Sequence, residues 1–249
     1  MGSRNPFEPR QVTSRRGGPV KQPLSRDAIV AAALDLLTRE GLEGMSLRKV
    51  AAALDTGPAS LYVYVEDLQE LRTLVLDRAL AGVETAGTRQ HDWRHRLTAL
   101  LESYLTVLER SPGLAQLAMS TIAAGPNALR FIEALLGLLD EAGVDQPTAA
   151  WAVDLINLYA TAIAAEQGQR EPLTNPLGPL LRVIGSVSAK EFPRIHAARD
   201  ELLSGEGPDR FAWAIEVLLK GILHTPRRAP GDDAPPTGSP TRRKSRRPR

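Results

Sequence analysis

The chain has 249 residues, 43% of them apolar and only 4% aromatic, which suits one large or two smaller helical domains better than a β sandwich. It has no cysteine, which excludes disulfides and thiolate metal sites. A formal charge of +2 hides an uneven spread: residues 1–23 carry +4, residues 225–249 carry +6, and residues 24–224 between them carry −8.

Residues 1–23 read as a disordered basic arm. They are rich in Pro, Gly and charge, with Arg15-Arg16 just ahead of the first apolar stripe. From Leu24 the pattern changes. Ile29, Ala32, Ala33, Leu36 and Leu37 recur at helical spacing behind the N-cap candidate Ser25, and Gly41 is the expected stop. Leu47, Val50, Ala51 and Leu54 repeat the pattern behind Ser46. Asp55-Thr56-Gly57-Pro58 then reads as a tight turn, and a short helix is expected over 58–64, carrying Ser60, Tyr62 and Tyr64. Asp67 and Glu70 form a capping-box pair ahead of Leu71, Leu74 and Val75. Three short helices with a tight turn before the last can place one rod in the major groove of DNA. The same geometry also occurs as ordinary core packing.

This segment resembles the N-terminal domain of the tetracycline-repressor (TetR) family. The resemblance rests on Gly41-Leu-Glu-Gly-Met-Ser46, Arg48-Lys49-Val50-Ala51 and Leu61-Tyr62-Val63-Tyr64-Val65 followed by Asp67. It continues more weakly through Asp92-Trp93-Arg94, Ser111-Pro112-Gly113, Gly125-Pro126-Asn127-Ala128 and 211–221. It implies an all-α fold: a helix-turn-helix domain over 24–80 and a larger helical ligand-binding and dimerisation domain over 81–224. A disordered basic, Pro-rich tail over 225–249 follows. Two departures stand out. Asp55 replaces the family's usual glycine, and Leu68 replaces a lysine placed to meet phosphate.

The resemblance assigns DNA contacts to Arg48 and Lys49 on phosphate and to Gly57, Ala59, Ser60, Tyr62 and Tyr64 on the reading helix. Ser60 is expected nearest the base edges. Arg15 and Arg16 are expected to reach the neighbouring minor groove, since an acidic body close to DNA would otherwise repel it.

Beyond residue 80, helices are expected from Asp92, from Ser111-Pro112 to near Gly125, from Pro126 to Gly143, from Pro147 to about Glu166, over about 180–190, and from Pro208 to about Leu223. The fourth and last of these are apolar around most of their circumference, which implies burial on two faces. By resemblance they form a four-helix dimer interface that includes Trp151, Leu155, Leu158, Phe211, Ile215, Leu218 and Leu219. The resemblance also suggests a largely apolar effector pocket walled by Leu100, Tyr104, Ala118, Thr121 and Leu135. Asn157 and Glu166 either orient the ligand there or are a satisfied core amide and a solvated helix end.

His91 and His95 stand at i and i+4, but with no third ligand nearby they read as surface residues, and no metal or cofactor is expected. Ala118 stands where relatives that take a magnesium–drug chelate have a pocket histidine, so neither tetracycline nor magnesium is carried over. The enzyme motifs G-x-S-x-G, P-loop and H-E-x-x-H are absent. No apolar run approaches bilayer length and MGSRNP lacks a signal-peptide apolar region, so a cytoplasmic protein without a membrane partner is expected. The resulting expectation is a dimeric regulator, in repressor mode, that binds operator DNA and is released by a small-molecule effector. The competing one is a small-molecule-binding helical dimer with weak or lost DNA binding.

Overall fold

The computed structural model describes residues 5–8, 24–85, 92–169 and 178–227, and every regular element among them is helical. Arg15, Arg16, His91 and residues 228–249 lie outside the described residues, so nothing about the arm and tail contacts expected there is placed.

Four helices build the head. They are α1 (Arg26–Gly44), α2 (Leu47–Ala53), α3 (Pro58–Leu61) and α4 (Leu68–Leu80). Local chemistry sets their starts. Ser25 Oγ accepts from the Ala28 amide, Ser46 Oγ from Lys49 and Asp67 Oδ1 from Glu70, at 3.1, 3.3 and 2.7 Å. Each satisfies a donor that a helix start leaves orphaned, worth about 1 kcal/mol. Gly41, with φ +72°, breaks α1 as expected, but the chain regains a helical turn and runs on to Gly44. The reading helix is shorter than the expected 58–64. Regular helix ends at Leu61, and Tyr62–Tyr64 form a turn closed by amide bonds from Tyr64 and Val65 to the Leu61 carbonyl, at 2.8 and 3.0 Å. Ile29, Ala33, Leu37, Val50, Ala51, Leu61, Val65, Leu71 and Val75 are fully buried and make the head's core.

The body is built from α5 (Trp93–Glu109), α6 (Pro112–Ser120), α7 (Pro126–Glu141), α8 (Gln146–Gln169) and α12 (Gly207–His224). Between α8 and α12 lie the short α9 (Gly178–Ser186), α10 (Pro193–Ala197) and α11 (Arg199–Leu203). The last two had no counterpart in the sequence reading, because five residues are too few to show a period. Asp92 caps α5 as expected, its carboxylate accepting from the His95 amide at 2.9 Å. That bond, with the His95 ring beside it, holds the Asp92 carboxyl below its ordinary range. α6 stops at Ser120 instead of running toward Gly125, so residues 121–125 form a link into α7.

α8 corrects one expectation. At 24 residues it is long and apolar enough to cross a bilayer by length and composition alone. It is nonetheless a core helix of this fold. Ala149, Ala152, Val153, Ile156, Ala160 and Ala164 are buried, and it packs against α5, α6, α7 and α12. Its buried hydroxyls are satisfied inside the protein: Thr161 bonds Tyr104 and the Asn157 carbonyl, and Thr148 bonds Asp145.

α6 joins the two regions. On one side it lies on α8, and a Cβ at Gly168 would stand 3.1 Å from Pro112 Cα. On the other side it lies on α1, and a Cβ at Gly113 would stand 2.9 Å from the Leu37 carbonyl. Ser111, buried, donates to that same carbonyl at 3.4 Å. Backbones this close couple any displacement of α6 directly to the head's first helix.

Candidate nucleic-acid interface

The turn between α2 and α3 aims the reading element. Asp55 has φ +49° and is the one non-glycine residue with positive φ among the described residues. A short polar side chain tolerates this left-handed geometry, so the turn survives the loss of the usual glycine. The Thr56 amide then bonds the Ala51 carbonyl at 2.9 Å, and Gly57 and Pro58 open α3. Gly57, Pro58, Ala59 and Tyr62 are exposed, while Ser60 and Tyr64 are half-buried. Leu61 and Val65 anchor the element from below, both fully buried. The result is a narrow ridge of small and hydroxyl-bearing side chains, most of them exposed among the described residues. Val63, 51% exposed, joins that ridge and was not singled out in the sequence, because an apolar residue between two tyrosines reads as core.

Arg48 and Lys49 are exposed on α2 beside the ridge. Lys49 is already engaged. Its Nζ stands 2.7 Å from Glu40 Oε2 on α1, and that hydrogen-bonded ammonium holds the Glu40 carboxyl below its ordinary range. A phosphate contacted by Lys49 would therefore replace Glu40. Leu68 is half-buried, packed on the core, and offers phosphate nothing.

In the body, Trp151, Leu155 and Leu158 lie along one face of α8 and are 63%, 45% and 55% exposed. On α12 the sequence reading needs correcting. Phe211, Ile215 and Leu219 turn inward and are buried, with Phe211 stacked on Tyr159 of α8 at 5.8 Å between ring centroids. Leu218 is half-buried. The exposed face of α12 carries Trp213 and Val217 instead, at 70% and 47%. Of the helix's two apolar stripes, the richer one packs on α8 and the sparser one is left outward. Arg227 stacks on Trp151 at 4.4 Å, and its amide bonds Thr148 Oγ1 at 2.7 Å, which fixes the end of α12 to the start of α8.

The expected pocket residues spread over the packed centre of the body. Tyr104 stacks on Phe131 at 4.6 Å, and its hydroxyl meets Thr161 Oγ1 at 2.7 Å. Burial pushes the Tyr104 phenol up, so it stays a neutral hydroxyl. Leu135 is fully buried and Ala118 half-buried. Thr121 is buried, and its Oγ1 has no hydrogen-bond partner among the described residues. Asn157 is half-buried, whereas Glu166 is exposed near the end of α8, where it helps burial raise the Tyr159 phenol. Leu100 lines a groove of about 250 Å³ between α5 and α7 beside the bidentate Arg96–Glu141 ion pair. His95 is exposed and bonded to Asp92, and no group of three metal-capable side chains occurs among the described residues.

A helical head with an exposed helix-turn-helix ridge, joined to a larger helical body, is the build of a class of DNA-binding regulators. Residues 29–66 match the family described as bacterial regulatory proteins, tetR family, and residues 86–225 match the tetracyclin repressor-like C-terminal domain. The chain belongs to the TetR family, and it is a transcriptional regulator with a helix-turn-helix head. Among its relatives, the transcriptional repressor DrrR1 of Streptomyces coeruleorubidus is 31% identical over 86% of this chain and 83% of its own. The solved structure of the protein SCO7704 from Streptomyces coelicolor is 40% identical, with a TM-score of 0.69 over 84% of this chain and 100% of its own. ActR from Streptomyces coelicolor in complex with actinorhodin is 31% identical, with a TM-score of 0.74 over 81% of this chain and 96% of its own.

Proposed function

We propose that the protein is a dimeric repressor whose two α3 ridges read an operator in adjacent major grooves, and that a small molecule in the body releases it. The observation that carries this reading is the pairing of the uncovered ridge Gly57–Tyr64 with an uncovered apolar face on α8 and α12. One ridge is too short for much specificity. A two-fold partnership through Trp151, Leu155, Leu158, Trp213 and Val217 doubles it, with half-sites spaced by about 34–36 Å or a multiple. Large aromatic and aliphatic side chains left in water at this density favour a partner of like character.

Arg48 and Lys49 grip phosphate, while Ser60, Ala59 and Tyr62 lie nearest the bases and Tyr64 steadies the ridge from its half-buried place. Small side chains read bases weakly, so shape and the basic segments, Arg15 and Arg16 among them, supply the rest.

The effector is a largely apolar molecule with few hydrogen-bonding groups, seated among Leu100, Tyr104, Ala118, Thr121, Leu135 and Asn157. The unpartnered Thr121 hydroxyl supports this seat, since a buried hydroxyl without a partner costs about 1–3 kcal/mol that a ligand acceptor would recover. Glu166 lies outside it. The body is tightly packed, so the ligand must separate α6 from its neighbours, and α6 is in backbone contact with α1. The ligand releases DNA only by favouring the head spacing that does not fit the operator.

Salt-titrated binding to DNA flanking its own gene tests the reading. Sequence-selective binding that weakens steeply with salt supports it. Weak binding, uniform across sequences, supports instead a ligand-binding dimer without an operator, the reading that Leu68 and the acidic body favour.

A further inference from the structure

Head and body also meet where the end of α4 reaches the start of α7. Asp77 lies on α4, the helix that carries the head, and is only 6% exposed. Its Oδ1 accepts from the backbone amides of Asn127 and Ala128 at 2.9 and 3.1 Å. Asn127 Nδ2 donates to Asp77 Oδ2 at 2.9 Å and to the Asp77 carbonyl at 3.0 Å. The amides belong to the first turn of α7, where a helix leaves donors unpaired and its dipole favours a carboxylate. Thus the last turns of α4 are bolted to the start of α7.

Gly125 makes this fit possible. A Cβ there would lie 2.2 Å from the Asp77 carboxyl and 2.5 Å from the ring of Phe7. Phe7 comes from a turn far away in sequence. Asn5 Oδ1 accepts from the Phe7 amide at 3.0 Å, and the Asn5 carbonyl accepts from the Glu8 amide at 3.3 Å. The turn is tied down by Arg26, whose Nη1 donates to the Glu8 carbonyl at 3.1 Å while its Nη2 pairs with Glu70 at 2.7 Å. One guanidinium therefore holds residues 5–8 against both α1 and α4.

We propose that residues 5–8 are an intramolecular wedge, in which Phe7 seats against Gly125 and Asp77 and fixes the angle of the head on the body. This rests on the regulator reading only for its consequence, since head angle matters through the spacing of two heads. The physical argument is local. An aromatic ring over a buried carboxylate keeps water from competing for the α7 amides, and hydrogen bonds strengthen as water leaves. Asp77 is the positioning residue and Phe7 is its cover.

The test compares the full-length wild type with Phe7→Ala and Phe7→Leu by amide hydrogen exchange and by affinity for DNA flanking the gene. In Phe7→Ala the amides of Asn127 and Ala128 exchange about tenfold faster, while the buried amides of α1 and α12 keep their rates. DNA affinity shifts by about threefold or more, and Phe7→Leu, which keeps an apolar cover, restores both. Three results overturn the proposal: unchanged exchange at the start of α7, an equal rise across the whole chain, or a loosened joint with unaltered DNA affinity. The exchange measurement needs no DNA, so a failure of DNA binding in the wild type is distinguishable from a failure of the wedge.

Discussion

The head and the body treat their apolar surface in opposite ways. The head closes its core from four short helices and leaves outward mostly small, hydroxyl-bearing or charged side chains, with Val63 and the Tyr62 ring as the apolar exceptions. The body has longer helices and a larger core, yet it leaves two tryptophans, two leucines and a valine in water along one face of α8 and α12. The difference separates two kinds of partner. On the proposed reading, a small, polar, rigid ridge suits a highly charged polymer, and an unfinished core suits a second copy of the chain.

The largest effect is expected at the body's exposed apolar face. Leu158→Glu together with Val217→Glu places two carboxylates on each side of it. A 27.0 kDa species by light scattering is expected, with helical content intact and DNA affinity down about a hundredfold or more. An equally tight complex would move the interface elsewhere.

Next in size is the ridge. Tyr62→Ala and Ser60→Ala should each weaken binding by about 1–3 kcal/mol per affected contact and leave the mass of the dimer unchanged. Arg48→Ala should weaken all sequences alike and lower the salt slope by about 1 for each phosphate released. A loss confined to the operator would move Arg48 from backbone to bases.

Two smaller effects sharpen the head. Asp55→Gly relieves the one strained non-glycine backbone among the described residues, and should raise stability by up to about 1 kcal/mol with little change in affinity. Thermal unfolding reads this directly, and a lower melting temperature would show that the side chain contributes more than its strain costs. Glu40→Gln frees Lys49 and should tighten DNA binding a few-fold. The folded Glu40 carboxyl titrates below its ordinary range, so its pairing with Lys49 is full above that range and is lost as pH falls through the lowered value. The advantage of Glu40→Gln should therefore be largest at neutral pH and fade in acid. A constant advantage across pH would remove the ion pair from the explanation.

What the sequence made legible was local chemistry. Ser25, Ser46, Asp67 and Asp92 cap helices where their spacing from the following apolar stripe placed them, and Asp55 takes the left-handed turn its side chain permits. What it left illegible depends on distant packing. The α12 pattern contains two stripes, and periodicity alone cannot say that Phe211, Ile215 and Leu219 face the body while Trp213 and Val217 face out. The resemblance puts the pocket residues on different elements, and only the fold shows Tyr104 engaged with Thr161, and Thr121 Oγ1 without a hydrogen-bond partner among the described residues. Phe7 is the one aromatic residue in the first 23, behind an Asn-Pro pair, and that was its only signal. Its role depends on Gly125, more than a hundred residues away, and composition hid it inside a Pro-rich basic arm.

Operator reading by this protein depends most on two ridges held at one fixed separation. Hydroxyl-radical footprinting of the protein on DNA upstream of its own gene tests this directly. It predicts two protected patches on one side of the duplex, repeating at about 34–36 Å or a multiple, both lost together in the Leu158→Glu, Val217→Glu protein. A single patch, or one that survives those substitutions unchanged, would contradict it.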